Sequence, residues 1–492
     1  MENKTVEVPH LRAIDRQQMV LRPVDVDKLI EADHPARGIW ELVGSLDLTS
    51  FYEGIEAVEG EAGRPAHDPR LLVCLWIYAY SQEWASAREI SRRCQTDPAC
   101  QWLTGLTEVN YHTLADFRVR HEEALLQLAA EVLGVLSQAG LVQLRRAMHD
   151  GTKVRADAGG DSFRREGRLQ AHLQAAREQI EQLEKEEASE ELSKRRLAAR
   201  QRAARQRQDR LQEALEELKE IRKHSDKPPQ QCRASWTDPE SRIMKHGDGG
   251  YSPSYNVQIS TDADSGVIVG VDVSQSANDQ GLLPAAVKTI ERTTGRVPEQ
   301  MVVDGGFVTA ETIQAMTTQG IELIGPVMED KKVAPNRMDP DFSVQAFHYL
   351  AEQDVFICPA GQKLKHKSKE KRGGAIRHQY VANAADCQKC PFKARCCPKA
   401  QHRWVTRQVI DPVVIAFREK MQTERAKQIY KTRGAVAEFS NLWIKSKIGL
   451  RQFSVRGLTK VKVEALWACI TYNIQLWLRR CWKADRLQTC RA

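Results

Sequence analysis

The first part of the chain has the spacing of apolar residues that is typical of helices. Between 20 and 135, apolar residues recur every three or four positions, and Asp68-Pro69 is a favourable helix start. Ser86 and Glu89 have the spacing of a capping box, so a further helix is predicted after residue 86. One apolar stripe is predicted in the first of these helices, made of Leu71, Leu72, Leu75, Trp76, Ala79 and Tyr80. The pattern predicts an all-helical unit over 1–135.

A second helical segment, 161–230, has a heptad-like spacing. Its apolar residues are Leu169, Leu173, Ala176, Ile180 and Leu183, followed after a break by Leu211, Leu215 and Leu218. This spacing predicts either an antiparallel hairpin of two long helices or one dimerising coiled-coil helix. Eight of the residues at 194–210 are basic and one is acidic, so the segment could follow DNA phosphates. The acidic stretch 178–191 favours a solvated helix face instead.

After a proline-rich break the apolar period changes to two. Strands are predicted at 254–261 and 266–274, a helix at 278–295, a strand ending before Asp304, a helix after it, and a strand at 321–327. Long helices are predicted at 413–447 and 462–482. The alternation predicts an α/β core with an all-α unit before it.

Composition narrows the class of protein. With 492 residues the chain should hold two or three domains, and 73 basic against 65 acidic residues give a net charge of +8, which suggests a polyanionic partner. No apolar run reaches the roughly 20 residues of a membrane span, and no apolar signal segment is visible at the N-terminus. A cytoplasmic protein is expected. In that reducing compartment the twelve cysteines are interpreted as metal ligands or free thiols.

Asp150 lies in an unusual stretch, RRAMHDGTKVRADAG at 145–159. This run of polar and basic residues has the pattern of neither a helix nor a core strand. Asp150-Gly151 is the commonest pair in tight turns, so a turn is one interpretation. The other is that Asp150 holds a metal ion together with carboxylates from elsewhere in the chain.

Two further acids support the metal interpretation. Asp304 ends a predicted strand, where the crevices of open sheets form, and Glu438 lies in a late helix. Tyr430, Arg433 and Lys445 share that helix with Glu438, and such side chains grip DNA phosphates. Carboxylates suit Mg²⁺, and a pair of such ions catalyses phosphoryl transfer.

Two other sets of residues are candidates for binding. Arg88 and Arg92 lie on short helices that suit a helix-turn-helix-like DNA-binding unit, although an ordinary basic helical surface explains them equally well. A four-thiolate zinc site is predicted from Cys358, Cys387, Cys390 and either Cys396 or Cys397. The alternative is a set of buried free thiols. Residues 363–374 are predicted to be a flexible basic loop that could lie on DNA.

These residues resemble a known family. HDGTKV at 149–154, VVDGGFVTAETI at 302–313 and the segment 430–457 resemble the three acidic motifs of bacterial insertion-sequence transposases of the DDE class. The segment 430–457 is similar to their Tyr-Arg-Glu-Lys signature, and 63–97 resembles the helical domain that precedes the catalytic core in one such group.

The resemblance implies a ribonuclease H-like catalytic core with a mixed sheet. It implies that Asp150, Asp304 and Glu438 bind Mg²⁺ or Mn²⁺, and that Tyr430, Arg433 and Lys445 contact the transposon end. The implied function is recognition of terminal inverted repeats, cleavage of the DNA ends, and joining of the 3′-hydroxyls to target DNA. The implied assembly is a homodimer or larger synaptic oligomer in the cytoplasm, associated with the nucleoid. A domesticated nuclease and a non-catalytic DNA-binding protein are the alternatives.

The chain departs from the signature in one spacing. Four residues separate Arg433 from Glu438, where three are common, which puts the role of Arg433 in question. Asp157 is a rival first carboxylate, and Glu311 and Glu464 are rivals for the third. The predicted domains are 1–135 (helical, DNA-binding), 136–160 and 231–330 (two parts of the core), 161–230 (helical insert), 331–404 (Cys-rich insert) and 405–492 (C-terminal helices of the core).

Overall fold

The computed structural model describes residues 19, 23–55, 57, 65–186, 191–225, 228–326, 340–372 and 375–482. Its N-terminal part is helical, as predicted. The helices are α1 (Pro35–Gly44), α2 (Thr49–Tyr52), α3 (Pro69–Ser81), α4 (Ala87–Thr96), α5 (Pro98–Thr104), α6 (Tyr111–Arg120) and α7 (Glu122–Gln138).

The predicted helix starts are confirmed, but α3 is more buried than an amphipathic helix would be. The carboxylate of Asp68 accepts a hydrogen bond from the backbone N–H of Arg70, and the hydroxyl of Ser86 accepts one from that of Glu89. Every residue from Leu72 to Tyr80 is buried. The prediction of a single apolar stripe on α3 was therefore wrong, because this helix is surrounded by the rest of the fold.

A six-stranded mixed sheet forms the centre of the molecule. Its strands are β1 (Arg146–Arg155), β4 (Arg242–Lys245), β5 (Tyr251–Asp262), β6 (Ile268–Ser274), β7 (Gln300–Val303) and β8 (Glu322–Ile324). The order is β4-β5-β1-β7-β8, with β6 also paired to β5. β1 is antiparallel to β5 and parallel to β7, and β7 is parallel to β8. The strands predicted at 254–261, at 266–274 and before Asp304 are confirmed, and the strand predicted at 321–327 forms at Glu322–Ile324. The helices α10 (Leu283–Thr294) and α11 (Ala310–Thr318) are confirmed as well.

The prediction that 145–159 contains no core strand was wrong, because most of this segment forms β1. The polar residues of this strand are buried because β5 supplies their hydrogen bonds. The ring of His149 is fully buried, with Nδ1 at 2.8 Å from the hydroxyl of Ser260 and Nε2 at 2.9 Å from Oε1 of Gln258. Gly151 is required by close approach, since a Cβ there would lie 2.5 Å from Oδ1 of Asp279. Asp150 is therefore a strand residue and is not in a turn.

The segment between β1 and β5 contains a helical hairpin. α8 (Glu166–Lys185) and α9 (Glu191–Lys223) run antiparallel, and the two short strands β2 (Phe163–Arg164) and β3 (Ala234–Ser235) pair at their base. Apolar residues of both helices pack together: Leu169, Leu173, Ala176, Leu211, Ala214 and Leu218. Arg200 and Arg205 of the basic block pair with Glu186 and Glu184 at 2.9 and 3.0 Å. Of the two arrangements predicted here, the structure contains the hairpin, and these two arginines are balanced by acids.

The Cys-rich segment contains a second, five-stranded antiparallel sheet. Its strands are β9 (His348–Leu350), β10 (Val355–Ile357), β11 (Lys363–Arg372), β12 (Ala375–Ala382) and β13 (Trp404–Ile410), and the short helices α12 (Ala384–Gln388) and α13 (Lys393–Cys396) lie between the last two. The basic stretch predicted to be a flexible loop is β11. It forms a strand because Leu364 on β11 and Tyr380 on β12 are fully buried in a small apolar core, which includes Phe356.

The late helical region is interrupted, although one continuous helix was predicted over 413–447. It contains α14 (Pro412–Gln422), α15 (Glu424–Lys431), a π-helical turn (Gly434–Glu438), α16 (Phe439–Ser446) and α17 (Leu458–Trp477), with a further π-helical turn at Leu478–Trp482. The break at Thr423 occurs because its backbone is extended and its hydroxyl caps α15. Among the described residues, no helix has the length and apolar character needed to cross a membrane.

α17 joins the N-terminal helices to the sheet. Its residues belong to one apolar core that also includes residues of α3, α7, β5 and β6. Inside this core the guanidinium of Arg118 lies 3.5 Å from the carboxylate of Glu464, and their side chains are 7% and 1% exposed. The indole N–H of Trp467 donates to the carbonyl of Arg118. The N-terminal helices and the central sheet therefore do not have separate cores.

Replacing Glu464 by alanine should lower the free energy of unfolding by about 3 kcal/mol or more, because it leaves the Arg118 charge buried without its partner. Urea denaturation measures this loss. The control is Asp116→Ala, which breaks the exposed Arg120–Asp116 pair and should change stability by about 0.5 kcal/mol at most. Equal effects of the two substitutions would contradict the prediction.

Asp238 gives the fold a dependence on pH. Its buried carboxylate accepts hydrogen bonds from the hydroxyl of Tyr255 and the backbone N–H of Gly457 at the start of α17, while Oδ2 has no partner in the described structure. Burial raises the pKa of Asp238 to about 6. The protonated carboxyl therefore stabilises the fold below the ordinary aspartate pKa, and this contribution is lost as the pH rises through about 6.

The Asp238→Asn variant should gain stability over the wild type as the pH increases from about 4.5 to about 7.5, since asparagine cannot ionise. Urea denaturation of both proteins at the two pH values measures the gain. A difference in unfolding free energy that is independent of pH would refute this assignment.

Candidate active site

The pairing of β1 with β7 places Asp150 beside Asp304. The last two paired positions of these parallel strands are Met148 with Val302 and His149 with Val303, and the two aspartates follow at the next position. Met148 and Val302 share one apolar cluster, so the acids two residues further along lie on that same face of the sheet. Burial raises the pKa of Asp150, the guanidinium of Arg433 opposes this, and the negative charge of Asp304 adds to it.

Glu438 comes to the same face on the π-helical turn. The preceding residue, Ala437, is buried in the cluster that contains Met148 and Val302. The carboxylate of Glu438 is exposed and lies over Gly434, where a Cβ would be 3.5 Å from Oε1. The structure therefore sets Asp150 beside Asp304 and packs the π-helical turn that ends at Glu438 against the same face of the sheet.

The same turn accounts for the unusual spacing of the signature. A π-helical turn contains one more residue than an α-helical turn, so it absorbs the extra residue between Arg433 and Glu438. Arg433 still contacts the site, because its Nη2 donates a hydrogen bond of 3.1 Å to Oδ1 of Asp150. The extra residue between Arg433 and Glu438 therefore does not prevent Arg433 from contacting Asp150.

Asn441 is a site residue that the sequence analysis missed. Its Nδ2 donates a hydrogen bond of 3.0 Å to Oδ2 of Asp150, and the residue is only 8% exposed. Two buried atoms of this group have no hydrogen-bond partner within the described structure, Oδ1 of Asn441 and Nε of Arg433. One indication of this role was present in the sequence: Asn441 lies three residues after Glu438, a spacing that places two residues on one helix face.

The other predicted accessory residues lie near the carboxylates. Burial lowers the pKa of Lys445, with Asp150 opposing and Lys153 adding to this effect. Burial also raises the pKa of Tyr430, and Arg433 opposes this shift. Both side chains are partly buried. Cationic and hydroxyl groups therefore surround the acids, which is an arrangement suited to a bound phosphate.

A polar network behind β1 supports the strand that carries Asp150. Oδ1 of Asp279 accepts hydrogen bonds from Asn256 at 2.7 Å and Gln258 at 3.0 Å, and Nζ of Lys153 lies 3.5 Å away. Burial lowers the pKa of His149 to about 4, so its ring is neutral at pH 7. The His149 ring packs edge-on against Phe307, with the ring centroids 4.9 Å apart. These contacts fix β1 relative to the segment that follows Asp304.

The remaining predicted residues lie elsewhere. The guanidinium of Arg88 packs over the ring of Tyr111 at 5.0 Å, and Arg92 pairs with Glu89 on α4. Among the rival acids, Asp157 pairs with Arg456 at 2.9 Å, and Glu464 is the buried partner of Arg118. Glu311 is exposed at the start of α11.

The predicted zinc ligands surround one cavity. It is lined by Cys358, Cys387, Cys390, Cys396 and Cys397. Backbone N–H groups donate to two of the sulfur atoms, from Gln362 to Cys358 at 3.3 Å and from Arg403 to Cys387 at 3.4 Å. Burial raises the pKa of the Cys396 thiol to about 11. Zinc binding stays a prediction.

No metal-holding cluster is formed by the side chains as they stand. In the part of the chain that the structure describes, no group of three or more His, Cys, Asp or Glu residues could hold a metal ion. This applies to the cysteines around the cavity and to the three carboxylates. The structure thus sets Asp150 beside Asp304, with the turn that carries Glu438 on the same face, but does not place all three carboxylates at coordination distance.

Two family models match the chain. A model described as "Transposase domain (DUF772)" matches residues 24–120, which include α1 to α6. A model described as "Transposase DDE domain" matches residues 357–477, which include Glu438, Arg433 and Lys445, whereas Asp150 and Asp304 lie outside both matches. No curated protein and no solved structure matches the chain. The two matches support the resemblance that the motifs indicate, to insertion-sequence transposases of the DDE class.

Proposed function

We propose that this protein binds the ends of its insertion sequence, cleaves the DNA there and joins the freed 3′-hydroxyls to target DNA. The observation that carries the proposal is that Asp150 and Asp304 follow paired positions of β1 and β7, and that Arg433 and Asn441, from the segment that carries Glu438, both donate hydrogen bonds to Asp150. Acids from remote parts of the chain have no structural need to lie side by side, and neighbouring carboxylates repel one another. Such a group is therefore expected to serve a cation.

The residues at this place fit Mg²⁺ or Mn²⁺ by the chemistry of their donors. The carboxylates offer hard oxygen ligands, and the amide Oδ1 of Asn441 is buried and without a partner in the described structure. When bound between the acids, such ions would activate the attacking oxygen and stabilise the leaving oxygen. Asp150, Asp304 and Glu438 are the residues that would hold them.

The surrounding side chains would position the DNA. Lys445 and Arg433 carry positive charge beside the acids, and Tyr430 adds a hydroxyl donor. These groups suit the phosphates on either side of the scissile bond, so their role is to hold the backbone of the DNA in line with the attacking oxygen. Cleavage and strand transfer use the same arrangement, first with water and then with a 3′-hydroxyl as the nucleophile.

The wider assembly follows from this chemistry. Both ends of the element must be cut and joined to one target, so we propose a homodimer or larger assembly on double-stranded DNA. Arg88 and Arg92 on the N-terminal helices are proposed to contact the terminal repeats.

A nuclease without transposition activity and a DNA-binding protein without catalysis are the alternatives. The convergence of the acids disfavours the second, since DNA binding alone requires none of them.

Replacing Asp304 by asparagine should reduce metal-dependent cleavage of element-end DNA by about 100-fold or more, because it removes a ligand charge and not merely an outer support. Binding of the same DNA in EDTA should be unchanged. Nicking of a labelled duplex in Mg²⁺ or Mn²⁺, together with a gel-shift assay, measures both properties. Joining of the cleaved ends to a supercoiled plasmid separates a transposase from a nuclease.

Asp157→Asn is the matched control, because Asp157 is a nearby aspartate that pairs with Arg456 and not with the site. This variant should cleave at close to the wild-type rate. Cleavage by Asp304→Asn at the wild-type rate would refute the proposed site.

A further inference from the structure

Asp150 is held at both carboxylate oxygens by side chains from the segment that carries Glu438. Nη2 of Arg433 donates to Oδ1 at 3.1 Å, and Nδ2 of Asn441 donates to Oδ2 at 3.0 Å. The side chains of Arg433 and Asp150 are 12% and 21% exposed, so solvent screens this ion pair only partly. A cation that binds Asp150 must therefore compete with a guanidinium for it.

The two partners differ in how firmly they are fixed. Asn441 is neutral, and the neighbouring Ser440 hydroxyl lies 3.0 Å from the hydroxyl of Thr261 on β5, so the start of α16 is tied to the sheet. Arg433 precedes Gly434 and the π-helical turn, and its buried Nε has no partner in the described structure. The guanidinium thus donates to one oxygen atom of Asp150, while its Nε–H has no acceptor in the described structure.

A DNA phosphate would satisfy Arg433 better than Asp150 does. Guanidinium groups bind phosphate through two parallel N–H donors, and Nε with Nη2 forms one such pair. A phosphate beside the acids could accept from both donors and would supply the negative charge that Asp150 now supplies. The exchange removes the orphan donor and releases one oxygen of Asp150, whereas Asn441 has no charge that a phosphate would attract.

We propose that Arg433 is a lock on Asp150 that a DNA phosphate releases, and that Asn441 is the positioning residue that keeps Asp150 oriented throughout. This regulation rests on the proposed function, because it concerns the same site. Its consequence is a coupling: DNA raises the affinity of the site for a divalent cation, and by linkage the cation raises the affinity for DNA by the same factor. The chain would thereby bind its metal tightly only when the DNA backbone is in place.

The test measures Mn²⁺ affinity of the full chain by electron paramagnetic resonance, with and without a short mixed-sequence DNA duplex. Arg433→Met removes the lock, so Mn²⁺ should bind about tenfold more tightly than to the wild type without DNA, since a hydrogen bond between charged groups is lost. The duplex should tighten Mn²⁺ binding by the wild type and have much less effect on this variant. Asp150→Asn should weaken Mn²⁺ binding, which places the measured ions at this carboxylate.

Lys445→Met is the matched control for charge. Lys445 lies near Asp150 but makes no hydrogen bond to it in the described structure, so its removal should change Mn²⁺ affinity by about twofold. If Arg433→Met binds Mn²⁺ no more tightly than Lys445→Met, or if the duplex tightens binding equally in both variants, the lock does not exist.

Asn441→Ala tests the positioning role. It should weaken Mn²⁺ binding about tenfold both with and without the duplex, as loss of an outer support does. Asn473→Ala is its control, because Asn473 is a buried asparagine of α17 that bonds the backbone of Ile268. Equal weakening by the two substitutions, or a melting temperature that falls more for Asn441→Ala than for Asn473→Ala, would show a merely structural role.

Failure of this proposal is distinguishable from failure of the proposed function. If Mn²⁺ affinities follow the expected order but the wild type does not cleave DNA, the lock stands and the transposase activity falls. If the wild type cleaves DNA but its Mn²⁺ affinity is the same with and without the duplex, the activity stands and the lock falls.

Discussion

The parallel pairing of β1 with β7 is the constraint on which the site depends. It sets Asp150 and Asp304 at neighbouring positions, and the alternation of side chains along a strand directs both to the face on which Ala437 packs. Two like charges side by side raise the cost of ionising either one. The structure offsets this cost at Asp150 with the charge of Arg433 and the amide of Asn441.

Insertions are accommodated because they leave this pairing intact. The helical hairpin α8–α9 lies between β1 and β5, yet these strands pair from Ala147 to Arg155. The second sheet, β9 to β13, lies between β8 and the segment that carries Glu438. Each insert has an apolar cluster of its own, so neither draws residues from the core of the central sheet.

α17 packs against both the N-terminal helices and the central sheet, which the sequence pattern assigns to separate domains. The boundary expected near residue 135 falls within the last turn of α7, and residues on both sides of it belong to one apolar core. The Arg118–Glu464 pair lies inside this core. The N-terminal helical unit is thus packed directly against the scaffold that carries the acids.

Much of the local structure could be predicted because short-range physics decides it. Asp68 and Ser86 cap their helices as their types and spacing indicate, and strands form on either side of 262–266 where the apolar pattern predicts them. The motifs also predict three acids as cation ligands, because the chemistry of metal ions restricts the residue types that bind them. The predictions for β1 and β11 were wrong. The buried polar residues of β1 and the exposed basic residues of β11 do not give the apolar alternation that is typical of a strand.

The sequence by itself determined which residue types could hold a cation and where helices begin. The tertiary structure alone decided that RRAMHDGTKVRADAG contains the central strand, since the partners that satisfy His149 lie on β5, more than a hundred residues away. It also decided that Arg433 and Asn441 donate hydrogen bonds to Asp150. The π-helical turn that aims them at Asp150 is stabilised by packing against the sheet, and no local pattern of residues encodes that packing.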